Sequence, residues 1–337
     1  MAGHAIFHLG PTTLQRGMTI PNPFIAYKTY GSLAPDKSNA VLYPTSYGAQ
    51  HTDTEWLVGP GKVLDTDRWF VVIPNMFANG LSSSPSTLPE PFGHGRFPEF
   101  THWDNVHAQR RLMREVFGVE RLALIYGWSM GAQQALHWGA LFPDQVERIC
   151  ALCGSARTSV HNKVFLEGVR ATLTADPAWR DGYFAERPVT GLRAMGRVYA
   201  GWAMSQAFYR EKLYLEVGFS SLEDWLVRSW EANFLRRSGD DLLASLRTWE
   251  LSDISANDIY DGDLDAALGA ITARSIIMPS RTDLYFTAED SAAETARMPN
   301  AEFRPIESIW GHRAGNPVLN PEDAAFIHRA VRDLTAA

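Results

Sequence analysis

The apolar positions change period along the chain. Around Thr19–Tyr30 they alternate with polar ones between turn formers, which predicts an antiparallel hairpin. Asn39–Tyr43 and Trp69–Pro74 are short apolar runs bounded by Pro and Gly. Asp104–Phe117 has helical spacing, Arg121–Tyr126 reads as a strand, Met130–Leu141 as a helix and Arg148–Cys153 as another strand. Strands alternating with helices imply a parallel sheet covered on both faces. From Arg157 to Ala270 the pattern is mostly helical and rich in Trp, Tyr, Phe and Leu. The alternation resumes with a strand at Ala273–Pro279, a helix at Thr287–Met298, a strand at Glu302–Ile306 and a helix at Pro321–Leu334. The expected organisation is an α/β core domain made of residues 1–156 and 271–337, with a helical lid inserted at 157–270.

Composition narrows the class. At 45% hydrophobic and 20% charged residues, the chain of 337 can bury a large core as an ordinary soluble protein does. A formal charge of −7, with no basic run longer than Arg110-Arg111 or Arg236-Arg237, leaves no electrostatic footprint for nucleic acid. No apolar stretch approaches the roughly 18 residues needed to cross a membrane. The N-terminus lacks the basic start and long apolar core of a signal peptide, so a cytoplasmic location is expected. Cys150 and Cys153 form a C-x-x-C, a spacing that can mean redox or metal chemistry. They fall in an apparent buried strand, where residues three apart face opposite ways. Inert core cysteines and no metal site are expected.

Residues 127–131 carry the chemistry. They read Gly-Trp-Ser-Met-Gly, between the apolar run Leu122–Tyr126 and the helix-like stretch Gln133–Trp138. Gly-x-Ser-x-Gly between a strand and a helix is a nucleophile elbow. The tight turn holds the serine in a strained conformation, and the glycines let strand and helix approach. Ser129 is therefore the expected nucleophile, and the amide of Met130 would point at the same space.

A serine hydroxyl needs a base within reach, and the base needs an orienting carboxylate. In this architecture the order is Ser, Asp or Glu, His. Asp283 follows the predicted strand 273–279, and His312 follows the next one; both belong at the sheet edge where catalytic groups gather. Asp290, inside a predicted helix, and His328, also helical, are the weaker candidates. The oxyanion needs two amide donors. Met130 would supply one, and the loop Pro44–Gly48 the other, through Ser46 or, next in order, Tyr47.

Further segments carry a resemblance. Val58–Lys62 followed by Asp65–Phe70, Ser129-Met130-Gly131 with Gln134-Ala135-Leu136 and Trp138, Ala175-Asp176-Pro177 with Trp179 and Gly191-Leu192, and Asp283–Phe286 are similar to segments of the homoserine O-acetyltransferase family. The resemblance implies an α/β-hydrolase fold, a mostly parallel sheet with helices on both faces and an inserted helical lid. It also implies a homodimer formed through that lid, and a substrate-binding role for Arg170, which matches the family arginine that holds the substrate carboxylate. The family has Asp after the catalytic His, where it binds the substrate amine; here that residue is Arg313, whose charge has the opposite sign. Met204 stands where the family has a substrate-binding tyrosine, and Trp128 where its elbow has glycine.

The expected activity is acyl transfer from a small-molecule ester or thioester through an acyl-enzyme. With water as acceptor the protein is an esterase or thioesterase, the favoured reading because the amine-reading Asp is missing. With an alcohol as acceptor it is an acetyltransferase using acetyl-CoA as co-substrate on homoserine or a related hydroxy compound. No tightly bound cofactor is expected. A non-catalytic scaffold is the third reading, disfavoured by the complete Ser, Asp and His set.

Overall fold

In the computed structural model, which describes residues 3–336, the apolar runs line up in one sheet of eight strands. These are β1 (Ala5–His8), β2 (Phe24–Tyr30), β3 (Ala40–Leu42), β4 (Phe70–Pro74), β5 (Leu124–Trp128), β6 (Arg148–Leu152), β7 (Arg274–Met278) and β8 (Ala301–Phe303). Their spatial order is β1-β2-β4-β3-β5-β6-β7-β8. Strand β2 runs antiparallel to both neighbours, and every pairing from β4 to β8 is parallel.

Period-two alternation divides the strand residues between the faces. Val72, Ile125, Ile149 and Ile277 enter one core with helices α1 (His102–Phe117) and α2 (Met130–Leu141). Val71, Leu124, Tyr126 and Ile276 enter the other, against Ile327, Val331 and Leu334 of the last helix, Pro321–Thr335. Burial on both faces is what makes these strands read as apolar runs. Helix ends follow local chemistry. Thr101 and Asp104 form a capping box at the start of α1, and Gly118 ends it in the left-handed conformation at φ 61°.

The antiparallel pairing differs in partner from the expected hairpin. Strand β2 pairs with β1, while Thr19–Ile20 forms a separate ribbon with Thr12–Thr13. The elbow strand also lies two residues later than its apolar pattern indicated, ending at Trp128. Strand β6 stops at Leu152, and Cys153 adopts φ 45°, so both sulfurs enter the same core instead of opposite faces. Both thiols are free and buried. Burial pushes Cys150 up to about 12 and Cys153 well above its ordinary value, so neither supplies a thiolate.

Between β6 and β7 the chain is mainly helical. It includes α3 (Val160–Thr174), α4 (Val189–Ala203) and α5 (Gly239–Glu250), a small ribbon at Trp179–Arg180 and Tyr183–Phe184, and a π-helical turn at Leu226–Glu231. Phe165, Met195 and Trp249 from these elements and Phe234 of a short helix at Ala232–Leu235 share one core with Tyr285 and Phe286 of the loop after β7. The helical layer is thereby packed onto the edge of the sheet where the candidate catalytic loops emerge. Among the described residues no helix is long and apolar enough to cross a membrane.

Candidate active site

Ser129 sits at the turn between β5 and α2 with φ 59° and ψ −128°. Such a conformation costs about 1–3 kcal/mol and persists only where the surroundings enforce it. They do so through close backbone approaches. A Cβ on Gly127 would lie 2.3 Å from the Gly131 carbonyl, and one on Gly154 2.8 Å from the Ser129 carbonyl. No side chain fits at either position.

Asp283 and His312 follow β7 and β8, at the same edge as the elbow. His312 Nδ1 lies 2.7 Å from Asp283 Oδ2, and both side chains are buried. The other carboxylate oxygen accepts from the amides of Tyr285 and Phe286, each at 3.1 Å. The carboxylate is therefore fixed by its own loop and aimed at the imidazole. Ser129 and His312 line one cavity of about 250 Å³. Asp290 instead lies in the first turn of the helix Ala288–Thr295, and His328 on the last helix.

The loop after β3 closes the elbow side. Ser46 Oγ donates to the Trp128 carbonyl, pinning the loop to β5. A Cβ on Gly131 would stand 2.7 Å from the Pro44 carbonyl, so this glycine sets the loop against α2. Among the described residues, no acceptor takes the amides of Met130, Ser46 or Tyr47. Donors left open at a nucleophile are what an oxyanion requires. Tyr47 also lines the cavity, but its hydroxyl is turned to the Leu242 carbonyl at 3.2 Å.

The other expected binding residues separate. Trp128 packs beside the base: its ring centroid is 5.0 Å from that of His312, and Nε1 donates to the His312 carbonyl at 3.2 Å. Arg313 lines the cavity next to His312. Met204 lines a neighbouring cavity instead of the one holding Ser129. Arg170 is not brought to the cavity either, since Glu250 at 2.8 Å and Glu167 at 3.2 Å engage its guanidinium. Groups not singled out in the sequence complete the wall. Tyr199 and Phe234 come from the helical layer, and Asp53 from the loop after β3 is held by Arg236 and Arg237. Gly311 was also missed. It adopts φ 60°, and a Cβ there would lie 2.7 Å from the Ala203 carbonyl, so the end of α4 rests on the His312 loop.

This sheet order, the elbow, and an Asp–His pair at the same edge define a serine-nucleophile enzyme of the alpha/beta hydrolase class. A sequence profile described as alpha/beta hydrolase fold matches residues 58–308, and the chain belongs to that family. Among individual relatives, the chain is 34% identical to an ethyl acetate hydrolase of Pseudomonas veronii, over 91% of this chain and 88% of that one. It is 30% identical to a homoserine O-acetyltransferase of Thermobifida fusca, over 90% and 86% of the two chains. The crystal structure of an acetylester hydrolase from Corynebacterium glutamicum superposes with a TM-score of 0.95 at 32% identity, covering 99% of this chain and 96% of that one. The likeness to homoserine O-acetyltransferases therefore extends to esterases of the same build.

Proposed function

We propose that the protein is an esterase that cleaves small acyl esters, with water as the final acceptor. Ser129 Oγ attacks the ester carbonyl carbon while His312 Nε2 takes the hydroxyl proton. Asp283, hydrogen-bonded to Nδ1, steadies the imidazolium. The amides of Met130 and Ser46 hold the oxyanion. The bond to the alcohol oxygen breaks, that oxygen takes the proton from His312, and an acyl-Ser129 ester remains. Water then adds to the acyl carbon, giving its proton to His312. The C–Oγ bond breaks, Oγ recovers the proton, and the carboxylic acid leaves.

The observation that carries hydrolysis over transfer is Arg313. A guanidinium beside the base repels the ammonium group that an amino-alcohol acceptor would bring. The small cavity and the likeness to an ethyl acetate hydrolase support a short acyl ester. Purified protein is mixed with p-nitrophenyl acetate, and separately with acetyl-CoA, each with and without homoserine. Steady nitrophenolate release without homoserine, lost in Ser129→Ala, is the expected result. A burst that stalls until homoserine is added would make the protein an acetyltransferase with acetyl-CoA as donor.

The same reading includes a homodimer through the helical layer and a cytoplasmic location. Val160 and Val164, one turn apart on α3 and exposed, support such a contact. Sedimentation of the wild type against Val164→Glu tests it: a monomer in the variant and a dimer in the wild type are expected.

A further inference from the structure

Arg313 is held in place by its backbone while its charge is left without an ion partner. Its amide donates to the Trp310 carbonyl at 3.2 Å, and its carbonyl accepts from Asn316 at 3.1 Å. The guanidinium carbon stands 5.5 Å from the Trp128 ring centroid. Among the described residues no carboxylate reaches this guanidinium. The cavity's own carboxylate, Asp53, is engaged by Arg236 at 3.0 Å and by Arg237. Burial pushes the Arg313 pKa below its ordinary value, yet a guanidinium remains charged. A partly buried cation of this kind is costly unless something pairs with it.

Its place fixes which part of a substrate it meets. His312 must return its proton to the leaving alcohol oxygen, so the alcohol portion lies on the His312 side. Arg313 is the next residue and lines both the catalytic cavity and the neighbouring one of about 140 Å³. It therefore stands where the alcohol portion extends away from Ser129.

We infer that Arg313 binds a carboxylate on the alcohol portion of the substrate, so that the enzyme's substrates are small acyl esters of hydroxycarboxylic acids. This rests on the esterase reading above. A carboxylate fits the planar fork of a guanidinium with two parallel hydrogen bonds. Asp53 is already engaged by Arg236 and Arg237, so it does not neutralise Arg313, and a substrate carboxylate supplies the missing anion. An ammonium on the same alcohol is disfavoured by the same guanidinium.

The test compares acetoxyacetate with its neutral counterpart acetoxyacetamide, following acetate release in the intact enzyme. The carboxylate activates the ester less than the amide does, so a preference for the anion cannot come from intrinsic reactivity. The wild type is expected to favour acetoxyacetate in kcat/KM by about 10- to 100-fold, the worth of a hydrogen-bonded charged pair. In Arg313→Gln that ratio falls toward unity. A wild-type ratio near unity, or a ratio retained in Arg313→Gln, overturns the inference. Preference for monoethyl succinate over ethyl succinamate, with none for acetoxyacetate, would place the anion on the acyl side and also overturn it. Ser129-dependent turnover of p-nitrophenyl acetate separates the two levels. If it is present without anion selectivity, only this inference fails; if it is absent, the esterase reading fails as well.

Discussion

The Trp128 indole ties two catalytic segments together, because it ends β5 directly before Ser129 and donates to the His312 carbonyl. Trp128→Phe keeps an aromatic face against His312 and deletes the donor. Losing one net hydrogen bond costs about 0.5–1.5 kcal/mol. We expect a lower melting temperature and a reduced kcat with KM little changed, since the base is held less firmly while the cavity keeps its wall. An unchanged kcat would mean that the other ties of the loop, such as Ser205 Oγ donating to the Ile309 carbonyl, suffice. Residues of this kind are hard to read from a sequence. Trp128 stood out as a departure from a glycine, but its partner lies 184 residues away. Arg170 illustrates the converse. Its position matched a binding arginine, yet Glu250, 80 residues on, engages it.

At the scale of elements, the elbow was legible because its geometry is local. A strand, a turn and a helix within a short window need glycines at fixed places. The Asp and His loops were legible because a parallel sheet delivers successive loops to one edge. The two-residue ribbons were missed because so few residues establish no period. The π-helical turn was missed because it shares its apolar spacing with ordinary helix. The wall of the cavity was read only in part, since Tyr199 and Phe234 reach it through helix packing that no local pattern fixes. One prediction belongs to the junction between elements. The Pro44 carbonyl would stand 2.7 Å from a Cβ on Gly131, so Gly131→Ala must displace the loop that carries the Ser46 amide. Loss of one oxyanion donor costs about 100- to 1000-fold in kcat. We expect a folded variant, by circular dichroism, with turnover reduced on that scale. Near-normal turnover would show that Ser46 is not the second donor.

Across the whole molecule, buried titratable groups oppose one another in their effect on stability. Burial depresses His137 from its ordinary 6.5 to about 4. Its contribution is complete above pH 6.5 and is lost as pH falls toward 4, because only the unfolded chain takes up the proton. Glu294 has the opposite sign. Burial raises it from 4.5 to about 7, although the amides of Ala156 and Arg157 reach its carboxylate at 2.8 and 3.3 Å. Its contribution is complete below pH 4.5 and is lost as pH rises through 7, because the folded protein holds the proton longer. Asp241, raised by burial to about 6, acts in the same direction. His102, also depressed by burial, adds to the rising side, so rising and falling slopes offset one another between pH 4.5 and 6.5 and the wild-type stability curve is expected to be shallow there. Glu294→Gln removes one falling component and keeps an acceptor for the nearer amide, that of Ala156. Denaturant unfolding should therefore show a variant that gains on the wild type as pH rises, by on the order of 2 kcal/mol between pH 4.5 and 7. Glu294 joins the helix after β7 to the segment leading into the helical layer, so the same gain should appear as slower proteolysis near Arg157 at neutral pH. A difference that stays constant with pH would mean that the two amides hold Glu294 ionised in the folded protein, making it a fixed anionic clasp between core and lid.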